Sequence, residues 1–326
     1  MMIKRLFFVF GLLLLFGCNV DSSVKELKLV HSLSNNHPVH KAMQYFAERV
    51  AFHSDGKMKI KIYPSSQLGS ERECLELLQL GSLAMTKVSS AVMENFSPKL
   101  KVFGYPYLFE SKEQRYALYD SDLGKDLLAD GEKYWLHGLT YFDAGSRSFY
   151  TKDTPIREPS DLKGLKVRVM QSPTAIKLVS ALGGSPTPVS WGELYTSLQQ
   201  GVVDAAENNL PSFYSSKHYE ICKNLCLDEH SSLPDILVMS SIIYSELSEE
   251  EKEVLSISAQ EAAIEQRKLW ETAEKESLEA VTQAGVKVTR PDIEVFKKES
   301  KQIITDLQSE DPDLYDLIQK IKAIQP

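Results

Sequence analysis

Cysteine is scarce, 4 in 326 residues, which excludes a small scaffold stapled by disulfides. Glycine and proline, at 16 and 14, are too few for a fibrous or low-complexity chain. The common catalytic signatures are missing too: there is no G-x-S-x-G elbow, no P-loop, no G-x-G-x-x-G, no H-E-x-x-H and no paired C-x-x-C. Nothing in these patterns compels an enzyme. Positive charge is short as well, with 37 Lys+Arg against 45 Asp+Glu for a net charge of −8. Its bases are spread rather than pooled, which argues against nucleic acid and against a polybasic membrane surface. The acidic surplus does not forbid an anionic ligand, because a buried site is governed by its own few charges. What is present, 25% charged and 43% hydrophobic residues, suits a folded chain of two units of roughly 100–200 residues each.

The first segment carries Lys4 and Arg5, then an apolar run from Leu6 to Phe16. About eleven residues fall short of the ~20 needed to span a bilayer, so the run reads as an export signal. Leu15-Phe16-Gly17-Cys18 resembles a bacterial lipobox, although Phe16 is bulkier than that pattern usually shows. Residues 1–18 are thus expected to be a signal peptide with Cys18 lipidated, the alternative being plain cleavage and secretion. No later stretch reaches membrane length, and the body is expected in the periplasm. Of the remaining cysteines, Cys74 among Leu75, Leu77 and Leu78 reads as a small core residue. Cys222 and Cys226 lie four apart in a stretch that reads as helical, where they share a face. Neither a disulfide framework nor a metal site is expected from this odd set.

Further on, Leu27 to Ser32 reads as a strand and Pro38 starts a helix, with Val39, Ala42, Met43, Phe46 and Val50 on one face and Asp55-Gly56 as its stop. Lys59 to Tyr63 alternates as a strand, and Ser70 with Glu73 opens a capped helix ending near Gly81. The same strand–helix rhythm restarts after Leu139: strand Leu165 to Met170, helix from Ser172-Pro173 to Gly183, helix from Ser190 to Gly201, strand Val202 to Ala206. The pattern predicts an α/β fold with two sheets, each covered by helices. A stretch from about 248 to 284, free of proline and internal glycine and capped by Ser248 with Glu251, predicts one helix of about 50 Å, long enough to bridge both units.

Arg168 is the strongest oddity, a cation in an otherwise apolar strand just before a turn into a helix. A strand arginine is ordinarily an exposed edge residue or paired with a carboxylate. Its place at the strand's C-terminal end also puts it at the crevice where open α/β sheets bind ligands. Asn208 and Asn209 follow the Val202–Ala206 stretch in the same way, and Arg147 lies on the segment expected to cross between the units. His31, His37 and His40 invite a zinc reading, but His37 and His40 are placed as structural or surface residues at a helix start, leaving His31 near a ligand.

At this point the chain resembles a known family. Gly164 to Val169, Gly183-Gly184-Ser185-Pro186, Trp191-Gly192-Glu193-Leu194-Tyr195, Gly201 to Asn208, Tyr63-Pro64-Ser65-Ser66-Gln67 and Phe103-Gly104-Tyr105-Pro106-Tyr107 look like the periplasmic solute-binding subunits of TRAP transporters, the DctP type. The likeness runs in order through the whole body, departing at Ala205-Ala206, where such proteins often carry Asp-Gly. It implies a two-lobed periplasmic-binding-protein fold with hinge strands and a long bridging helix. Lobe I is expected over 25–145 and 234–273, lobe II over 146–233 and 274–326. It further implies that Arg168 pairs with a ligand carboxylate, with Arg147 a second contact, Asn208 completing the grip and Trp191 beside the ligand. From the first lobe Glu71, Arg72, Ser89 and His31 are expected to read the rest of the substrate. An empty site would then hold two close cations until an anion arrives. Glu71 would repel a second carboxylate yet accept hydrogen bonds from hydroxyls, which favours a uronate or aldonate over a C4-dicarboxylate; a Glu71 turned to solvent is the plainer reading. No cofactor is expected, the partners are a small organic acid and the transporter's membrane subunits, and a monomer is expected. A sensory binding module or a periplasmic sugar-acid lyase or isomerase stays open as an alternative.

Overall fold

The computed structural model describes residues 24–326, so Cys18 and the apolar run before it lie outside the described residues. Five strands form the first sheet: β1 (Lys25–Val30), β2 (Met58–Tyr63), β3 (Met85–Ser89), β4 (Leu136–Phe142) and β10 (Asp235–Ser240), in the order β2-β1-β3-β10-β4. Here β1 runs parallel to β2 and β3, while β10 is antiparallel to β3 and β4. Parallel neighbours need a long crossover, supplied by the helices Pro38–His53 and Glu71–Gln79. The first carries a proline in its opening turn and ends where Asp55 and Gly56 take left-handed conformations; the second has the expected Ser70–Glu73 capping box.

Six strands form the second sheet: β5 (Arg147–Thr151), β6 (Lys166–Val169), β7 (Ser185–Pro188), β8 (Ala205–Asn208), β9 (Asn224–Ser231) and β11 (Lys287–Thr289), ordered β11-β9-β5-β8-β6-β7. Short segments carry the chain between the sheets twice, from β4 into β5 through 143–146 and from β9 into β10 through 232–234, and a long helix carries it across once more, from β10 to β11. A 35-residue helix, Glu249–Gln283, begins at the Ser248–Glu251 capping box. Its Leu255, Ala259, Ala262 and Trp270 pack in one core with Phe46 and Val50 of the first unit, and its Val281 packs with Leu194 and Phe213 of the second. Small alanines let it lie close to both. Midway, Gln266 bonds the backbone of Asp143 from both ends of its amide, accepting from the N–H at 2.8 Å and donating to the C=O at 2.7 Å, which ties this helix to a crossing segment.

Three expectations change. The strand read at Val202–Ala206 begins later, at Ala205, because 201–204 are spent on a turn: Gly201 is left-handed, Val202 is exposed, and Asp204 Oδ2 accepts from the Lys166 N–H at 2.9 Å. Glu207 and Asn208 therefore lie within β8. Cys222 and Cys226 do not share a helix face, since Cys226 lies in β9; both are free and buried, and burial pushes the Cys222 thiol up to about 12. Finally, the chain's end returns to the first unit, since Leu314, Ile318 and Ile321 of the helix Pro312–Lys322 share a core with Leu100 and Phe103. Gln114 Nε2 also donates to the carbonyls of Lys322 and Ile324, at 3.2 and 3.1 Å.

Candidate functional site

A cavity opens where the two sheets meet, lined by Ser32, Glu71, Lys87, Ser89 and Asp235 from the first half and by Arg147, Arg168, Trp191 and Asn208 from the second. Arg168 sits at its wall on β6, on the same face as Met170, and is only 2% exposed. Its Nε donates to the Val189 carbonyl at 2.9 Å, while Nη1 has no hydrogen-bond partner. Among the described residues no carboxylate pairs with it. Its guanidinium lies 5.8 Å from the Trp191 ring, within reach of a cation–π attraction. Burial holds its pKa below the usual arginine range, and a buried cation without a partner is costly. This is the arrangement of a site waiting for an anion.

Arg147 is not a second waiting cation. Its Nε and Nη2 grip the Glu207 carboxylate at 2.5 and 2.9 Å, Nη2 also meets the Glu207 carbonyl at 2.9 Å, and Nη1 donates to Asn208 Oδ1 at 2.7 Å. Glu207 reaches it because β8 pairs antiparallel with β5, the strand that Arg147 opens. Burial alone would raise the Glu207 carboxyl, but Arg147 and His230 reverse this and hold it at about 2. Arg147 lines the cavity as a paired cation, and its bond to Asn208 Oδ1 fixes that amide. With Oδ1 taken by Arg147 and by the Asn209 N–H at 2.9 Å, the Asn208 amide has only its NH₂ left to offer the cavity.

On the first half's side of the cavity lies a triad. Lys87 Nζ, 2% exposed as a residue, donates to Glu71 Oε1 at 2.9 Å and to Asp235 Oδ1 at 3.0 Å. Burial lowers the ammonium's pKa, and the two carboxylates more than restore it. Glu71 also accepts from the Ser32 hydroxyl and from the Ser89 N–H, each at 3.3 Å, so it faces the cavity rather than solvent. With both carboxyls ionised the triad carries two negative charges and one positive, and burial together with the Glu71 charge raises the Asp235 carboxyl despite Lys87. Neither Lys87 nor Asp235 stood out in the sequence, although a lysine within the short strand Met-Thr-Lys-Val-Ser is the same kind of oddity that singled out Arg168.

The remaining candidates divide. Ser89 and Trp191 line the cavity. Arg72 stands at its rim, where it is exposed and its Nε meets Glu76 at 3.1 Å. His31 is absent from the lining: its ring bonds His40 at 2.9 Å and accepts from the Leu33 N–H at 3.1 Å, and burial followed by the nearby Lys87 charge lowers it to about 3. It is a neutral core histidine. His37 caps the Pro38–His53 helix and reaches Ser212 of the other half at 3.0 Å.

Residues 29–311 match the family model described as "Bacterial extracellular solute-binding protein, family 7", DctP. A solute-binding protein of Chromohalobacter salexigens is 34% identical over 294 residues, spanning 89% of this chain and 87% of its own. Among solved structures, a TRAP periplasmic solute-binding protein of Xanthobacter autotrophicus with bound β-D-galacturonate is 36% identical, with a TM-score of 0.88 over 92% of this chain and 100% of that one. One from Anaerococcus prevotii with bound α/β-D-glucuronate is 35% identical, with a TM-score of 0.88 over 93% and 99%. The chain belongs to the DctP family of TRAP-transporter solute-binding proteins. Its two sheets, two crossings and long helix are the two-lobed fold of that family.

Proposed function

We propose that this protein captures a hydroxylated monocarboxylate, a uronate or aldonate, in the periplasm and presents it to the membrane subunits of a TRAP transporter. The observation that carries this reading is the buried Arg168 with no internal carboxylate. Its planar fork fits a carboxylate through two parallel hydrogen bonds, one of them from the unpartnered Nη1. The Asn208 NH₂ adds a donor, and the Trp191 ring offers an apolar face to a sugar. Charge around the cavity is uneven: Arg168 makes the second half's side positive, whereas Glu71 and Asp235 outnumber Lys87 on the first half's side. A second ligand carboxylate would meet that negative side, while hydroxyls would find acceptors in Glu71 and Asp235 and a donor in Lys87. Relatives with bound galacturonate and glucuronate support the same class.

The protein is a binder and not an enzyme, and it acts as a monomer. Its lobes divide at 145/146 and 233/234, with the final helix docked back on the first lobe. Cys18 anchors it by lipid, which mass spectrometry of the mature protein checks through the added mass. A thermal-shift series with galacturonate, glucuronate, galactonate and succinate tests the ligand class. An acid held at 100 times its dissociation constant stabilises the fold by ~2.7 kcal/mol. Shifts with the hydroxylated monoacids are expected, and a shift with succinate alone overturns the reading. Incubation with uronates followed by product analysis checks the absence of turnover.

A further inference from the structure

One contact between the halves borders the cavity without facing it. Glu94 ends the short helix Ser90–Met93 that follows β3, and it is 7% exposed. Its carboxylate accepts from the Ser172 hydroxyl at 2.6 Å, the Thr174 N–H at 3.1 Å and the Thr174 hydroxyl at 2.5 Å. These donors are the N-cap and first turn of the helix Pro173–Ala181, which follows β6 and therefore Arg168. A carboxylate there meets both unsatisfied donors and the positive end of the helix dipole. Beside it, Asn95 Nδ2 donates to the Gln171 carbonyl at 2.7 Å. The first half's backbone also abuts this turn, since a Cβ on Gly104 would lie 2.7 Å from the Thr174 Cβ. Val92, Met170 and Gln171 line the cavity alongside, so the contact and the ligand share a wall.

Among the described residues Glu94 accepts no side-chain or capping hydrogen bond from its own half; all three donors lie on the other. We propose that Glu94 is a closure clasp: a positioning residue that leaves the ligand untouched and, as the lobes shut, seats the end of the Arg168 strand against the first lobe. Open, its carboxylate and the three donors return to water. Closed, they form charge-assisted bonds in a water-poor wall, where such bonds are strongest. Since the ligand is gripped from both lobes only when closed, its apparent affinity scales with the closed fraction, and the clasp raises that fraction.

The inference rests on the sugar-acid reading, and galacturonate is the probe. Titration calorimetry and stopped-flow binding, well below the melting temperature, compare wild type with Glu94→Ala, Glu94→Gln and the opposite-side pair S172A/T174V. Glu94→Ala is expected to weaken binding by roughly tenfold or more, mostly through faster dissociation, while the ligand-free melting temperature stays within about 2 °C. Glu94→Gln, which keeps the shape and an acceptor, recovers part of the loss. Adding S172A/T174V to Glu94→Ala costs little further affinity, because the acceptor of that contact is already gone, and the lost Ser172 cap lowers the melting temperature equally with and without ligand. Equal affinity in wild type and Glu94→Ala overturns the clasp, as does an equal fall in that single variant's melting temperature with and without ligand, the mark of an ordinary structural contact. A wild type that no sugar acid stabilises refutes the ligand reading instead.

Discussion

At the scale of single residues, the protein separates two arginines that look alike in sequence. Arg147 meets Glu207 in a bidentate pair, while Arg168 meets only a backbone carbonyl and an aromatic face. Their substitutions should therefore behave oppositely. Arg168→Ala removes a buried cation that nothing neutralises, so ligand-induced thermal shifts should vanish while the ligand-free melting temperature holds or rises. Glu207→Gln strands the Arg147 charge in the interior, and urea unfolding should show a loss of about 3–5 kcal/mol. Arg168 was visible in the sequence because a lone cation in an apolar strand violates the pattern of its neighbours. The pairing of Arg147 was not visible, because it depends on the antiparallel pairing of β5 with β8, strands some 60 residues apart. Glu71 was placed at the cavity, but of the two residues that give it its electrostatic role, Lys87 lies 16 positions on and Asp235 a further 148, and these two meet only through the pairing of β3 with β10.

Elements tell a similar story. Capping boxes at Ser70–Glu73 and Ser248–Glu251 set helix starts that local chemistry alone dictates. The long helix then acts beyond its own packing, because among the described residues Gln266 supplies the only side-chain partners of the Asp143 backbone groups at the first crossing. Gln266→Leu would leave that buried N–H and C=O unmet, at about 1–3 kcal/mol for each. Calorimetric unfolding should show the melting temperature lowered by several degrees, and small-angle scattering should show ligand-driven compaction becoming less complete, because the crossing loses its anchor. The early start assigned to the 202–206 strand has a physical origin as well. Two valines suggest β-structure, but Gly201 takes the left-handed turn and Asp204 spends its carboxylate on the Lys166 N–H, which delays strand pairing to Ala205.

Across the whole molecule, buried histidines of opposite habit should shape the pH dependence of stability. His31 and His218 are buried neutral, each lowered by burial to about 3. The unfolded chain takes up their protons first, so their stabilising effect is complete above about pH 6.5 and is lost as pH falls toward 3. His230 behaves in reverse. Burial lowers it, but Asp228 at 2.7 Å and Glu207 at 3.6 Å outweigh that and raise it to about 9. Its contribution is complete below about pH 6.5 and declines as pH rises through 9. Thermal melts across pH should therefore peak near neutrality, and His230→Gln should flatten the alkaline limb and also make the acidic one shallower, because His230 helps hold the Glu207 carboxyl low and without it that carboxyl titrates closer to its unfolded value. Sequence by itself determined the capped helices, the doubled α/β rhythm and the bridging helix, because periodicity and capping are local properties of the chain, whereas β8 and β9 took their bounds from tertiary pairing. It also exposed Arg168, because burying a cation breaks a local rule. Only the tertiary structure decided which charges meet: Arg147 with Glu207, Lys87 with Glu71 and Asp235, Glu94 with a helix of the other lobe. Electrostatic partnership depends on distances of a few ångströms between residues far apart in the chain, and those distances exist only once the two sheets face each other.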